Sequence, residues 1–164
     1  MSSDIDAKVR LAVTSPAFAA NGSIPAQHTC EGEDRSPPLD ISGIPPSAKT
    51  LALVMDDPDA PDPAAPKRVW VHWVVYDLPV STTKLPEGAG NGGSLGRSGK
   101  NDWGTPGYRG PCPPIGRHRY FVKVLALDTE LGELGAPNKA ALLAAAEGHV
   151  VAAGELVGTY QKTK

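Results

Sequence analysis

A chain of 164 residues with a formal net charge of −2 gives no electrostatic reason to bind nucleic acid or an anionic membrane, both of which call for a basic face. The length predicts one domain, 1–164, with enough core to fold without a metal or a disulfide. Its 18 glycines and 17 prolines stay below the roughly 25–30% that marks disorder, yet predict many turns and irregular loops.

Taken in order, "MSSDIDAKVRLAVTSPAF" lacks the apolar core of a signal peptide, and no run of about 18 apolar residues follows anywhere. The expectation is a cytoplasmic protein without membrane insertion, for which the sequon at Asn21 has no meaning. "AKVRLAVTS" (7–15) is a weak strand candidate, and 21–46 reads as loop. "TLALVM" (50–55) is a near-continuous apolar run, as expected of a central strand covered on both faces. Residues 56–67 read as a proline-stiffened loop.

"RVWVHWVVYDL" (68–78) is β-branched and aromatic and reads as a strand. A period of two puts Trp70, His72, Val74 and Tyr76 on one face, and Val69, Val71, Trp73 and Val75 on the other. Residues 79–119 read as a long loop, of the kind that is either functional or disordered, followed by the apolar strand "YFVKVLAL" (120–127). Asn138 is the predicted N-cap of a helix over "KAALLAAAEGHVVAA". Gly148, costing about 1 kcal/mol there, weakens or ends it. "GELVGTY" (154–160) is a second weak strand candidate.

Two motifs mislead. Gly88, Gly90 and Gly93 have dinucleotide-loop spacing, but no strand directly precedes them and no helix follows. "GGSLG" around Ser94 has the spacing of a nucleophile elbow but lacks the same context.

Asp57 and Asp59 end the first apolar strand, where they read first as turn aspartates bonding nearby backbone. His72 lies within an apolar strand and reads as a buried core histidine. The acidic strand end beside it, and His118 after the rigid stretch "GYRGPCPPIGRHRY" (107–120), suggest more. His and Asp together can hold a phosphate or carboxylate. His28, Cys30, His72, Cys112 and His118 are legitimate metal ligands, but no metal-site spacing is present and no metal or cofactor is expected.

"DPDAP" (57–61), "VWVHWVVYDLP" (69–79) and "GYRGPCPPIGRHRY" together resemble the phosphatidylethanolamine-binding protein family, in particular its bacterial and archaeal Raf-kinase-inhibitor-like branch. "SIPAQHTCEGEDRSPPL" (23–39), "NDWGTPGY" (101–108) and "EGHVVAAGELVGTY" (147–160) carry the likeness across nearly the whole chain.

The resemblance implies a mainly β fold. A large central antiparallel sheet packs with a smaller one as a sandwich, with one or two helices near the C-terminus. It also implies a conical pocket for phosphate, phospholipid head groups or carboxylates. By motif position its wall takes Asp57, Asp59 and Pro61, then Trp70 and His72. Gly110, Pro111, Cys112, Pro113, Pro114, His118 and Tyr120 complete it. The rigid loop is expected to aim backbone N–H groups and His118 at the anion.

Two departures from the family pattern stand out: Ile41 where an aromatic is usual, and His28 where tyrosine is commoner. The first bears on packing beneath the loop and the second on the pocket rim. Cys30 and Cys112 both fall in loops approaching the site. A cytoplasmic thiol pair stays reduced, so two free thiols are expected; a disulfide, with a redox-dependent pocket, is the alternative.

The functional expectation is a non-catalytic binder of a small anion or phosphorylated ligand. It would act as a regulatory or inhibitor-type protein on a kinase or serine protease, as a homodimer. The second reading is an enzyme using Asp57, His72 and His118 for general acid–base chemistry. Lipid carriage fits less well, because no basic amphipathic helix is present.

Overall fold

The computed structural model describes residues 9–92 and 95–163. Gly93 and Ser94, which belong to the two misleading glycine motifs, lie outside the described residues. Eight strands and one α-helix follow in order. They are β1 (Ala12–Thr14), β2 (Leu39–Ser42), β3 (Thr50–Ala60), β4 (Arg68–Pro79), β5 (Lys84–Leu85), β6 (Arg97–Ser98), β7 (His118–Leu127), α1 (Lys139–Ala146) and β8 (Val150–Tyr160). They form a five-stranded antiparallel sheet, order β6-β4-β3-β7-β8, and a three-stranded one, order β1-β2-β5.

The apolar runs are buried on both faces because the large sheet is covered twice. Leu51, Leu53 and Met55 of β3, with Val122 and Val124 of β7, meet Leu39, Ile41 and Leu85 of the small sheet. Ala52, Val54 and Leu125 turn the other way, toward Leu142 and Ala146 of α1. Ile41 is thus a fully buried member of the inter-sheet core. Asn138 caps α1 as its sequence predicts, its Oδ1 accepting the Ala141 N–H at 2.9 Å. The helix stops at Ala146, and Gly148 takes φ +82°.

Three departures from expectation matter for the site. β3 continues through Ala60, so the acidic pair lies within a strand rather than a loop; past Asp56 it pairs with β4 alone. The segment 79–119 contains the two-residue strands β5 and β6, too short to carry a hydrophobic period.

The third concerns β4. Its pairing steps from Met55↔Trp73 to Asp56↔Val71, leaving His72 as an extra residue. Such a bulge shifts the side-chain phase by one. Val71, Val74 and Tyr76 therefore face the α1 side, while Trp73 and Val75 face the inter-sheet core. His72 turns to Tyr120, its ring centroid 5.2 Å away. The strict period-two assignment of β4 is corrected accordingly.

Candidate functional site

At one end of the sandwich, the end of β3, the start of β4 and the start of β7 surround a pocket of about 320 Å³. Of the residues expected in its wall, Asp57, Pro61, Trp70, Cys112, Pro113, Pro114, His118 and Tyr120 line it. Ala60, Lys67, Arg68 and Trp103 line it as well. Asp59, His72, Gly110 and Pro111 do not.

Asp57 is buried, and both its oxygens are engaged. Oδ1 accepts the Asp59 N–H at 2.7 Å, which is the turn bond expected of it. Oδ2 lies 2.6 Å from Nδ1 of the buried His118. The other ring nitrogen, Nε2, donates to the Ile115 carbonyl at 2.9 Å. A carbonyl only accepts, so Nε2 carries hydrogen, and one proton is shared between Nδ1 and Oδ2. The pair is net neutral wherever that proton sits. Burial raises Asp57 above its ordinary range, with the His118 hydrogen bond opposing. Burial, and next the Asp57 charge, raises the Tyr120 hydroxyl well above 10.

Asp59 faces Arg119. Its carboxylate takes Nε at 3.0 Å, Nη2 at 2.8 Å and the Arg119 N–H at 2.9 Å. This two-pronged bond holds Asp59 below its usual range. With both aspartates compensated, Lys67 and Arg68 remain as pocket-lining cations that form no ion pair among the described residues. Arg68 lies over the Trp70 ring at 5.8 Å, and Arg109 over Trp103 at 4.8 Å.

His72 supports the wall instead of forming it. Its Nδ1 donates to the Arg109 carbonyl at 2.7 Å, and its carbonyl accepts the Arg109 N–H at 3.0 Å. Its ring packs edge-on against Trp103 and Tyr120. Burial lowers it from 6.5 to about 4, so it is neutral near pH 7.

The rigid loop does not form the expected nest of donors. Pro111, Pro113 and Pro114 have no N–H, and the Gly110 N–H goes to Asp34 Oδ1 at 2.9 Å. The loop is instead latched to the 26–35 segment. The Tyr108 hydroxyl donates to the His28 carbonyl at 2.6 Å, and the Cys30 N–H to the Pro111 carbonyl at 3.1 Å. His28 is buried, its Nδ1 2.9 Å from the Arg35 carbonyl, and it lies outside the pocket rim.

These contacts bring Cys30 and Cys112 to a Cα separation of 5.4 Å, where they form a disulfide. Free thiols were the expectation, and the structure overturns it. Among the described residues no group of three His, Cys, Asp or Glu is placed to hold a metal ion. No helix among them is long and apolar enough to cross a membrane.

Gly110 is the least replaceable residue of the latch. A Cβ added there collides with the His28 carbonyl oxygen and Asp34 Oδ1. Gly110→Ala is expected to cost about 1–3 kcal/mol through overpacking, read as a lower urea midpoint at unchanged slope.

The family model for phosphatidylethanolamine-binding proteins matches residues 14–161. The chain belongs to the phosphatidylethanolamine-binding protein family. A Methanothermobacter thermautotrophicus relative, described only as a UPF0098 protein, is 47% identical over 149 residues, covering 89% of this chain and 95% of that one. A solved phosphatidylethanolamine-binding protein homologue from Chlamydia trachomatis shares the fold at TM-score 0.86 and 39% identity, covering 94% and 99%. A carboxypeptidase Y inhibitor, solved in complex with its cognate proteinase, matches at TM-score 0.55 and 17% identity, covering 99% and 87%; that is a likeness of fold.

Within this phosphatidylethanolamine-binding protein, Ala60, Lys67, Arg68 and Trp103 are the lining residues that the sequence did not point to. Trp103 had a legible signal. It follows the buried Asn101, whose Oδ1 accepts the N–H groups of Trp103 and Thr105 and so fixes the turn that presents the indole. Lys67 and Arg68 read only as the polar lead-in to a strand.

Proposed function

We propose that this pocket binds a small phosphorylated or carboxylated group without turning it over, and that the protein regulates or inhibits a partner presenting such a group. The observation that carries this reading is the charge balance of the lining. Asp57 is neutralised by His118 and Asp59 by Arg119, while Lys67 and Arg68 form no ion pair among the described residues. An anion entering the pocket gains two cations and meets no free carboxylate.

The acid–base alternative is less well supported. Both ring nitrogens of His118 are already bonded, and the neutral His72 lies behind the wall. Cys112, the nearest nucleophile, is held in the disulfide. The inhibitor–proteinase neighbour favours a proteinase as the partner class; a kinase partner and a homodimer rest on resemblance alone.

Titration with inorganic phosphate and phosphoethanolamine, followed by amide NMR, tests the reading. Saturable shifts should cluster at 57–61, 67–70 and 112–120. Arg68→Ala should weaken phosphate about tenfold or more, as loss of a charged hydrogen bond implies. A folded protein whose signals stay still at millimolar phosphate would reject the binding site.

A further inference from the structure

The Cys30–Cys112 disulfide lies in the open, with both half-cystines solvent-exposed. Its placement is also asymmetric: Cys112 lines the pocket beside Pro113 and Pro114, and Cys30 does not. The same pocket carries the cations of Lys67 and Arg68, which form no ion pair among the described residues. Thiol–disulfide exchange proceeds by attack of a thiolate on one sulfur while the other leaves, and access decides which sulfur is taken.

We infer that the pocket directs small thiols bearing an anionic group onto Sγ of Cys112, making that residue a site of mixed-disulfide modification. This rests on the anion reading proposed above. The incoming thiolate sulfur bonds to Cys112 Sγ and the Cys30–Cys112 bond breaks. Cys30 departs with the electron pair as a thiolate and takes a proton from water. The protein's own disulfide is the oxidant, so nothing further is consumed.

The wall outlasts the step, because the same two loops stay joined by three hydrogen bonds. These are Gly110 N–H to Asp34, Tyr108 hydroxyl to the His28 carbonyl, and Cys30 N–H to the Pro111 carbonyl. The modified Cys112 then carries the anion into the pocket, and Cys30 stands free as the resolving thiol. A modification of this kind occupies the ligand's place without unfolding its walls.

The test compares 2-mercaptoethanesulfonate with 2-mercaptoethanol, thiols that share the same two-carbon arm and differ in the charge of the end group. Native protein is treated at low salt and quenched with iodoacetamide, and the cysteine peptides are mapped by mass spectrometry. The sulfonate adduct is expected on Cys112, with Cys30 alkylated. Per thiolate, the sulfonate should react about tenfold or more faster than the neutral thiol.

That preference should collapse in the Lys67→Ala/Arg68→Ala double variant and fade as salt rises. Both side chains are exposed, so the variant keeps its core. Equal rates for the two thiols, or an adduct on Cys30, would overturn the inference. Inorganic phosphate separates the two proposals. If phosphate binds while the thiols react equally, the modification site fails and the anion site stands. If phosphate leaves the spectrum unchanged and the thiols also react equally, both fail.

Discussion

Acidification from about pH 6.5 to 4 is expected to cost the folded protein about 3 kcal/mol through His72 alone. In the unfolded chain His72 takes up its proton near 6.5; in the folded protein burial holds it to about 4. A group with a depressed folded-state value stabilises the fold above the unfolded value, and that stability drains away as pH falls toward the folded one. For a chain of this length the loss corresponds to roughly 6–12 °C in Tm. Asp59, held low by Arg119, adds a loss of the same sign below 3.8. Asp57, raised by burial, works in the opposite sense: its contribution is full below 3.8 and disappears as pH rises through its folded value.

Thermal melts of wild type and His72→Gln between pH 7 and 4 isolate the His72 contribution. Glutamine offers a donor for the Arg109 carbonyl but does not titrate. The variant should start less stable and lose markedly less on acidification. Parallel curves for the two proteins would show that His72 is not the buried neutral base described.

The second large effect belongs to Asp57. Asp57→Ala removes one partner of a buried pair and strands His118 Nδ1, a change that typically costs about 3–5 kcal/mol. Asp57→Asn should cost far less. The amide places an N–H donor against Nδ1 of a neutral imidazole, and His118 keeps its hydrogen bond to Ile115 through Nε2. Urea melts at pH 7 give the ranking directly.

Phosphate affinity separates stability from binding. A neutral amide at position 57 beside a neutral His118 leaves the charge of the lining unchanged, so Asp57→Asn should bind phosphate nearly as wild type does. If the asparagine variant were as unstable as the alanine variant, the shared proton would have to be replaced by a fixed ion pair.

Much of the large sheet was legible because β3, β4 and β7 are long apolar or β-branched segments, and α1 announces itself through Asn138 and a run of alanines. Of the small sheet only β1 was legible, inside the weak candidate 7–15; β2 and β5 run just four and two residues and fell in segments read as loop. Asp57 and His118, which line the pocket, were placed in its wall by motif position; the residues alone read Asp57 first as a turn aspartate.

The errors share a cause. His72 was given to the wrong face because period-two counting assumes an unbulged strand, and a bulge is set by pairing with a neighbour. The Gly110 donor was misassigned because its partner, Asp34, is distant in sequence and joined only by the fold. Cysteine pairing is spatial in the same way. The proline-rich loop is the exception, since the letters P-C-P-P already rule out a row of N–H donors there.

That absence has a consequence for the open end of the sandwich. A foreign chain adds itself to a sheet by pairing with a row of exposed backbone donors. Among the residues that line the pocket, Pro61 on one side and Pro113 and Pro114 on the other have no N–H to give to such a row. On the reading proposed above, an opening that admits a ligand is thereby lined in part by backbone that has no donor to offer an added strand.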